Sequence, residues 1–98
     1  MTDSKWVTIY IPSKYIKTRT ASFTQIIFPE SSVYMGYQTW LSNKLVKCSG
    51  DYYRVALRSD FDINIEIEIK NTLGNYEIVS NSTISARTFQ QQFSNYSK

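Results

Sequence analysis

The ten residues from Phe61 to Lys70 alternate strictly between apolar and polar side chains. Phe61 and four isoleucines occupy every second position, and acidic, amide or basic side chains fill the positions between them. Because successive side chains of a β-strand point to opposite faces, this period of two predicts a strand with one face in the core and the other in water. A shift of one residue would expose every isoleucine, so the register of this strand is strongly constrained.

Shorter segments carry the same strand signals, and Gly, Pro, Ser or Asn residues separate them. The alternation that begins at Trp6 stops at Pro12, which ends the strand or marks a sheet edge because proline has no N–H to donate. The predicted strands are Trp6–Pro12, Ser22–Phe28, Lys44–Cys48, Tyr52–Arg58, Phe61–Lys70 and Tyr76–Ile84.

A hairpin is predicted around Ser49–Asp51, a three-residue turn signal between two of these strands. The second strand of the hairpin has two faces of different character. The side chains expected in the core are Tyr53, Val55 and Leu57, and those expected outside are Tyr52, Arg54 and Arg58, with Ala56. The outward face would combine an aromatic ring with two guanidinium groups.

The C-terminal segment predicts a short helix. Ser85 is a suitable N-cap, and Phe89, Phe93 and Tyr96 follow at the spacing of one helical stripe. We expect this stripe to pack on the core. By contrast, Ser13–Thr20 is polar and is expected to be a loop or an irregular strand extension, and Glu30–Trp40 is a long aromatic segment without clear periodicity, expected to be a loop.

These elements predict one small, mostly β domain over residues 1–98, which is a typical length for a single domain. The expected architecture is an OB-like antiparallel barrel of five or six strands with a short C-terminal helix. An SH3-like barrel or another α+β sheet is the alternative.

Composition argues against several classes of function. The chain has no histidine and a single cysteine, Cys48, so the usual zinc ligands and histidine-based acid–base catalysis are not available. Its three glycines stand apart, so there is no glycine-rich phosphate loop. We therefore expect no catalytic residues, no metal site, no cofactor and no independent enzymatic activity. Without an apolar run long enough to span a bilayer or a signal peptide, the expected location is the cytoplasm, with no membrane contact.

The acidic residues Asp62, Glu66 and Glu68 lie in a row on the polar side of the alternating strand. A metal site is one possible interpretation, and a protein-contacting face is another. A water-exposed face is the interpretation we favour, because charged residues are rarely buried.

Positive charge is concentrated in the first part of the chain. Residues 1–58 hold eight lysines and arginines against three acidic residues, a net charge of +5, whereas residues 59–98 hold three against five, a net charge of −2. The cations of the first part stand between tyrosines and tryptophans, and this interleaving is typical of proteins that bind single-stranded nucleic acid through stacked bases and neutralised phosphates.

The predicted nucleic-acid-binding residues are Tyr10, Lys14, Tyr15, Lys17, Arg19, Tyr34, Tyr37, Lys44, Lys47, Tyr52, Arg54 and Arg58. Tyrosine is also a good strand residue, so part of this set is expected to serve packing instead. Of these aromatics, Trp6 and Trp40 are the ones most expected in the core, because large rings are highly buried on average, but the sequence leaves a stacking role open for both.

Four segments carry a resemblance to a known group of proteins: Trp6–Lys17, Tyr37–Lys47, the alternating Phe61–Lys70 strand, and Ile84–Phe93. Together they resemble the small proteins encoded by Gram-positive mobile elements and phages, and more narrowly the small middle proteins of staphylococcal cassette replication modules. Genes for these proteins lie between genes for an A-family DNA polymerase and a helicase. The group has an acidic residue at the start of the last helix, where this chain has Arg87 and Thr88, which indicates a different contact there.

This resemblance implies a small protein that binds the polymerase and lets it start DNA primers, without catalytic residues of its own. Resemblance and composition together predict an accessory of DNA replication that binds single-stranded DNA and an A-family DNA polymerase or other replication protein. The alternative hypothesis is a non-enzymatic protein-interaction module, such as an adaptor or inhibitor encoded by a mobile element or phage.

Overall fold

A computed structural model of the chain describes residues 6–94. They form eight β-strands in two antiparallel sheets, followed by one short helix. The strands are β1 (Trp6–Pro12), β2 (Ile16–Arg19), β3 (Phe23–Ile27), β4 (Gln38–Ser42), β5 (Val46–Ser49), β6 (Tyr52–Arg58), β7 (Asp62–Lys70) and β8 (Tyr76–Ser85), and the helix is α1 (Ala86–Gln92). One sheet has three strands in the order β1-β6-β5, and the other has five in the order β2-β3-β4-β7-β8.

The chain passes between the sheets three times, at β1–β2, β4–β5 and β6–β7, and the first two of these connections are 3₁₀ turns. Ser13–Tyr15 connects β1 to β2, and Asn43–Leu45 connects β4 to β5. In the second turn, the Ser42 hydroxyl accepts a hydrogen bond of 3.3 Å from the backbone N–H of Lys44, which fixes the start of the turn. The polar segment Ser13–Thr20, predicted as a loop or an irregular strand extension, therefore contains the first 3₁₀ turn, Ser13–Tyr15, and the short strand β2.

The hydrophobic core fills the space between the sheets and α1. It takes its side chains from the inner faces of both sheets and from the helix, and its members are Val7, Ile9, Ile11, Ile26, Phe28, Leu41, Val46, Val55, Leu57, Ile63, Ile65, Ile84, Ala86, Phe89 and Phe93. The predicted inward positions Val55 and Leu57 are confirmed, and Tyr53 is half-buried against the same cluster.

The predicted helix and its N-cap are confirmed. The Ser85 hydroxyl accepts a hydrogen bond of 3.1 Å from the backbone N–H of Thr88. Phe89 and Phe93 are fully buried and pack edge to face, with ring centroids 5.3 Å apart. The third member of the predicted stripe, Tyr96, lies outside the described residues.

The mostly β class with a short C-terminal helix is confirmed, whereas the OB-like barrel is not confirmed. The strands form open sheets, and β8 has a neighbouring strand on one side only. At the free edge of β1, the side-chain amide of Gln90 donates a hydrogen bond of 3.0 Å to the Thr8 carbonyl oxygen. A helix side chain thus satisfies the backbone of β1 at a point where a closed barrel would place another strand.

Several predicted elements differ in extent from the observed ones. The strand predicted over Lys44–Cys48 begins only at Val46, because Asn43–Leu45 forms the second 3₁₀ turn. The segment expected as a loop over Glu30–Trp40 runs into β4, which was missed because its buried residues include the polar Gln38 and Thr39. In the alternating strand, Ile63 and Ile65 are buried, but Ile69 is 49% exposed. The expectation of a core face is therefore correct for only part of β7.

No helix in the described ranges of the chain is long and apolar enough to cross a membrane.

Candidate nucleic-acid interface

The outer face of the three-stranded sheet brings cations and aromatic rings together. Because Val7, Ile9, Val55 and Leu57 point into the core, their neighbours in sequence on β1 and β6 point outward. We call the resulting surface the basic face, and its residues are Trp6, Tyr10, Lys47, Tyr52, Arg54 and Arg58.

Strand register orders these residues into rows. Tyr10 on β1 lies opposite Arg54 on β6, and Arg54 lies opposite Lys47 on β5. At one end of the face, Trp6 lies opposite Arg58. Side chains directly opposite each other in an antiparallel pair have Cβ atoms about 4.5–5.5 Å apart, so each row places a ring beside a cation.

The charge of the basic face is largely uncompensated. Within residues 6–94, neither Arg54 nor Lys47 has a carboxylate in ion-pair range. Arg58 has a carboxylate partner, because its Nε lies 3.4 Å from Asp60 Oδ1, but both side chains are more than half exposed. Exposed ion pairs of this kind contribute about 0–1 kcal/mol, so Arg58 can exchange Asp60 for a phosphate.

Both tryptophans lie outside the core, contrary to expectation. Trp6 is 61% exposed on the basic face, and Trp40 is 40% exposed on β4 of the other sheet. The strand pattern explains the result, because Trp6 alternates with the buried Val7 and Trp40 with the buried Thr39 and Leu41. The sequence-based site set thus omitted Trp6, although the alternation along β1 already places it on the same face as Tyr10.

A second group of predicted residues lies at the corner between the sheets. Tyr15 contacts the ring of Phe93 edge to face, with centroids 5.9 Å apart, and Lys14 Nζ lies 5.2 Å from the centroid of the Tyr15 ring. The guanidinium carbon of Arg19 lies 5.4 Å from the centroid of the Tyr53 ring, and its Nε donates a hydrogen bond to the Thr24 hydroxyl. Lys17 is exposed on β2 beside this group. These residues extend positive charge to the corner, while the ring of Tyr15 supports the core.

The remaining predicted residues do not belong to the basic face. Tyr34 and Tyr37 lie in the segment between β3 and β4, where their rings pack edge to face with centroids 6.0 Å apart. Tyr34 also contacts Phe28, and the Tyr37 hydroxyl lies 3.0 Å from the hydroxyl of Ser80. Both tyrosines are thus held in place by packing on the five-stranded sheet. Lys44 is exposed in the 3₁₀ turn that precedes β5.

The acidic row lies on the outer face of the five-stranded sheet. Asp62 is exposed, whereas Glu66 and Glu68 are half-buried and both accept hydrogen bonds from the side-chain amide of Gln38, at 3.2 and 3.4 Å. Gln38 in turn accepts a hydrogen bond of 2.6 Å from the amide of Gln25. The water-exposed face expected for this row is therefore correct for Asp62 only.

The acidic row lies on the five-stranded sheet and the basic face lies on the three-stranded sheet. Negative and positive side chains are thus concentrated on different sheets of the molecule. The part of the chain that the structure describes contains no group of three or more Cys, Asp or Glu side chains arranged to hold a metal ion.

Comparison with known proteins finds no matching family, no matching curated protein and no matching solved structure.

Proposed function

We propose that this protein is a non-catalytic, cytoplasmic accessory of DNA replication that binds single-stranded DNA on the basic face and works with a DNA polymerase partner. The observation that carries the proposal is the row of Tyr10, Arg54 and Lys47, flanked by Trp6 and Tyr52 on the same face. The resemblance to the staphylococcal cassette proteins supplies the expectation of a polymerase partner and of a mobile-element origin.

The chemistry of the basic face favours a single strand over a duplex. Unpaired bases offer their flat faces to aromatic side chains, and each base stacked in this way contributes roughly 1–3 kcal/mol. The bases of a duplex are already stacked on each other, so the rings of Trp6, Tyr10 and Tyr52 would gain no partner from it. Phosphate contacts come from Lys47, Arg54 and Arg58. Each contact releases counterions from the DNA, and this release favours binding less as the salt concentration rises, so the affinity falls.

Such a face has a specific role beside a polymerase. A polymerase that starts without a primer lacks the duplex that normally positions its template. A small protein that holds the template strand in a fixed orientation lowers the entropic cost of bringing the reacting groups together. This role requires binding and orientation but no acid, base or nucleophile from the small protein.

The test measures binding of a fluorescently labelled oligo-dT by anisotropy over a range of salt concentrations. We expect micromolar binding at low salt, with a log–log slope of roughly −2 if the three cations of the basic face each contribute about −0.7. A duplex of the same length is the control and should bind more weakly. Absence of oligo-dT binding at about 20 mM salt, or binding that salt does not weaken, contradicts the proposal.

The second candidate function is a protein-interaction module that acts as an adaptor or inhibitor. It is favoured by the distal end of the β7–β8 hairpin, where Ile69, Tyr76, Ile78 and Val79 are about half exposed or more and Leu73 is 84% exposed. Such concentrations of exposed apolar side chains are typical of protein-contacting surfaces. If oligo-dT binding fails while this hairpin proves essential in the host, the second function replaces the first.

A further inference from the structure

The β7–β8 hairpin continues beyond the part of the sheet that the core supports. Ile63 and Ile65 on β7 are buried, Ile67 is half-buried, and Ile69 is 49% exposed. On β8, Ile84 is buried, whereas Tyr76, Ile78 and Val79 are exposed. The molecule is elongated, with principal extents of 51 × 29 × 27 Å. We call the segment Ile67–Ser80 the arm.

The arm holds a large share of the exposed apolar surface. Five of the eleven large apolar side chains exposed in the described part of the chain lie between Ile69 and Val79. Two-stranded hairpins are marginally stable in water without a covered face. The register divides these side chains between the two faces of the hairpin, since Ile78 lies opposite Glu68 and Glu77 lies opposite Ile69. A contact that buries the apolar side chains of one face would therefore stabilise the arm as well as the complex.

β8 also presents an open strand edge. It is the last strand of the five-stranded sheet, and no strand within residues 6–94 pairs with its outer side. Natural proteins protect such edges with lysine, proline or a β-bulge. The ten residues of β8 include neither lysine nor proline. Its protective features are one charged side chain, Glu77, and the register shift between Ile67 and Glu68 of its partner β7, opposite Val79.

The charge of the hairpin selects the kind of partner. Across β7 and β8, four carboxylates (Asp62, Glu66, Glu68 and Glu77) stand against one lysine (Lys70), which gives a net charge of −3. Pairing of two copies through β8 would bring two such hairpins side by side, and like charges oppose this contact. A basic partner is attracted by the same charge.

From these observations we propose that the outer edge of β8 and the apolar arm bind an extended segment of a partner protein in which basic and apolar residues alternate. The segment adds a strand beside Tyr76–Ser85 and places apolar side chains next to Ile78 and Val79. Its basic residues lie next to Glu77 and extend across β8 toward the carboxylates of β7. Strand addition of this type takes affinity from main-chain hydrogen bonds and specificity from alternate side chains.

This inference rests on the proposed function only for the existence of a protein partner. The arm belongs to the five-stranded sheet and the basic face to the three-stranded sheet, so DNA and the partner segment occupy separate surfaces.

The test uses a displayed library of random peptides of the length of β8, 10 residues. The library is selected on the wild-type protein and counter-selected on the double variant Ile78→Lys with Val79→Lys, which adds the protective lysines that β8 lacks. We expect the enriched peptides to be basic with alternating apolar residues. A labelled peptide from this set should bind the double variant about tenfold more weakly than the wild type, or worse.

The matched control is Val33→Lys with Met35→Lys, which makes the same change of charge at two exposed apolar residues between β3 and β4. This control should keep peptide binding, because its lysines lie off the strand edge. Hydrogen exchange should show slower exchange of β8 amides when the peptide is bound. Circular dichroism should report the same fold for both double variants, since all four residues are exposed.

Three results would overturn the inference. The first is that the selection enriches no peptide class, or enriches acidic peptides. The second is that the wild type and the Ile78→Lys, Val79→Lys variant bind the peptide equally well. The third is that sedimentation shows a wild-type dimer that this variant dissociates, which would make a second copy the occupant. Oligo-dT binding separates the two proposals. The arm variant should bind oligo-dT normally, and a variant that has lost oligo-dT binding through Arg54→Ala and Arg58→Ala should bind the peptide normally.

Discussion

Tyr10 and Arg54 lie directly opposite each other in the ladder between β1 and β6, and Lys47 lies opposite Arg54 on the other side. A ring and two cations thus form one row across the three strands of the sheet. Neither the order of the strands nor this row can be obtained from any single segment of the chain. The row depends on β6 lying between two strands that are distant from each other in sequence.

Replacing Arg54 and Arg58 with alanine should weaken DNA binding without unfolding the protein. Both side chains are exposed, whereas Val55 and Leu57 between them keep the strand packed, so the free energy of unfolding should change by less than about 0.5 kcal/mol. Two lost phosphate contacts should make the log–log salt slope shallower by about 1.4. Anisotropy with oligo-dT measures the slope, and thermal unfolding measures the stability.

The control for this double variant is Lys70→Ala with Arg87→Ala, which removes the same charge from exposed positions outside the three-stranded sheet. Its oligo-dT slope should equal that of the wild type. Equal losses in the two double variants would mean that only net charge matters and that the basic face has no special role.

The two tryptophans provide a second test, because they lie on different sheets. In a Trp40→Phe variant the only tryptophan is Trp6, whose fluorescence should be quenched when oligo-dT stacks on it. In a Trp6→Phe variant the signal comes from Trp40, which should not respond. Replacing Trp6 with alanine should weaken binding by roughly 1–3 kcal/mol. Quenching of Trp40 alone would place the DNA on the five-stranded sheet.

Sequence patterns predicted the strands well where apolar residues face the core. Val7, Ile9 and Ile11 on β1, and Val55 and Leu57 on β6, follow the period of two, and both strands were predicted with their observed bounds. β4 was not predicted, because Gln38 and Thr39 are buried polar residues that a hydrophobic pattern cannot detect. Their burial depends on hydrogen bonds to other strands, such as the 2.7 Å bond from the Thr39 hydroxyl to the Asn64 carbonyl oxygen.

The residue types of the candidate site could be predicted from the sequence more fully than their arrangement in space. The hairpin pattern placed Tyr52, Arg54 and Arg58 on one face, while the nucleic-acid role of the interleaved cations and rings stays a prediction. The sequence could not show which other strand lies beside this hairpin, so it could not join Tyr10 and Trp6 to it. Nor could it show that Tyr34 and Tyr37 pack against each other and against the rest of the five-stranded sheet, since those contacts are set by tertiary structure.

Replacement of Tyr53 should affect stability, whereas replacement of its neighbour Tyr52 should affect DNA binding. Tyr53 packs against the core and carries the Arg19 guanidinium over its ring, so Tyr53→Ala should lower the free energy of unfolding by about 1–3 kcal/mol. Tyr52 is half-buried but is not among the residues packed against the core, so Tyr52→Ala should lower the free energy of unfolding by less and should weaken oligo-dT binding. Chemical denaturation and anisotropy measure the two effects. A reversed result would mean that the two faces of β6 are exchanged.

Gln38→Ala should destabilise the five-stranded sheet. The buried amide of Gln25 would lose the oxygen that accepts its 2.6 Å hydrogen bond, at a cost of about 1–3 kcal/mol. The double variant Gln25→Leu with Gln38→Leu removes both partners and should be the less destabilised of the two in chemical denaturation. Greater loss in the double variant would show that the hydrogen-bonded pair is not what stabilises this face.

The position of β6 in its sheet also predicts the order in which contacts form during folding. The hairpins β5–β6 and β7–β8 and the run β2-β3-β4 join residues close in sequence, whereas the β1–β6 ladder pairs Trp6 with Arg58, about fifty residues apart. Contacts between distant residues must overcome the entropy of closing a long loop, so they form late. The basic face is completed by this late step. Recovery of oligo-dT binding during refolding should therefore coincide with the slowest folding phase, which stopped-flow anisotropy can measure.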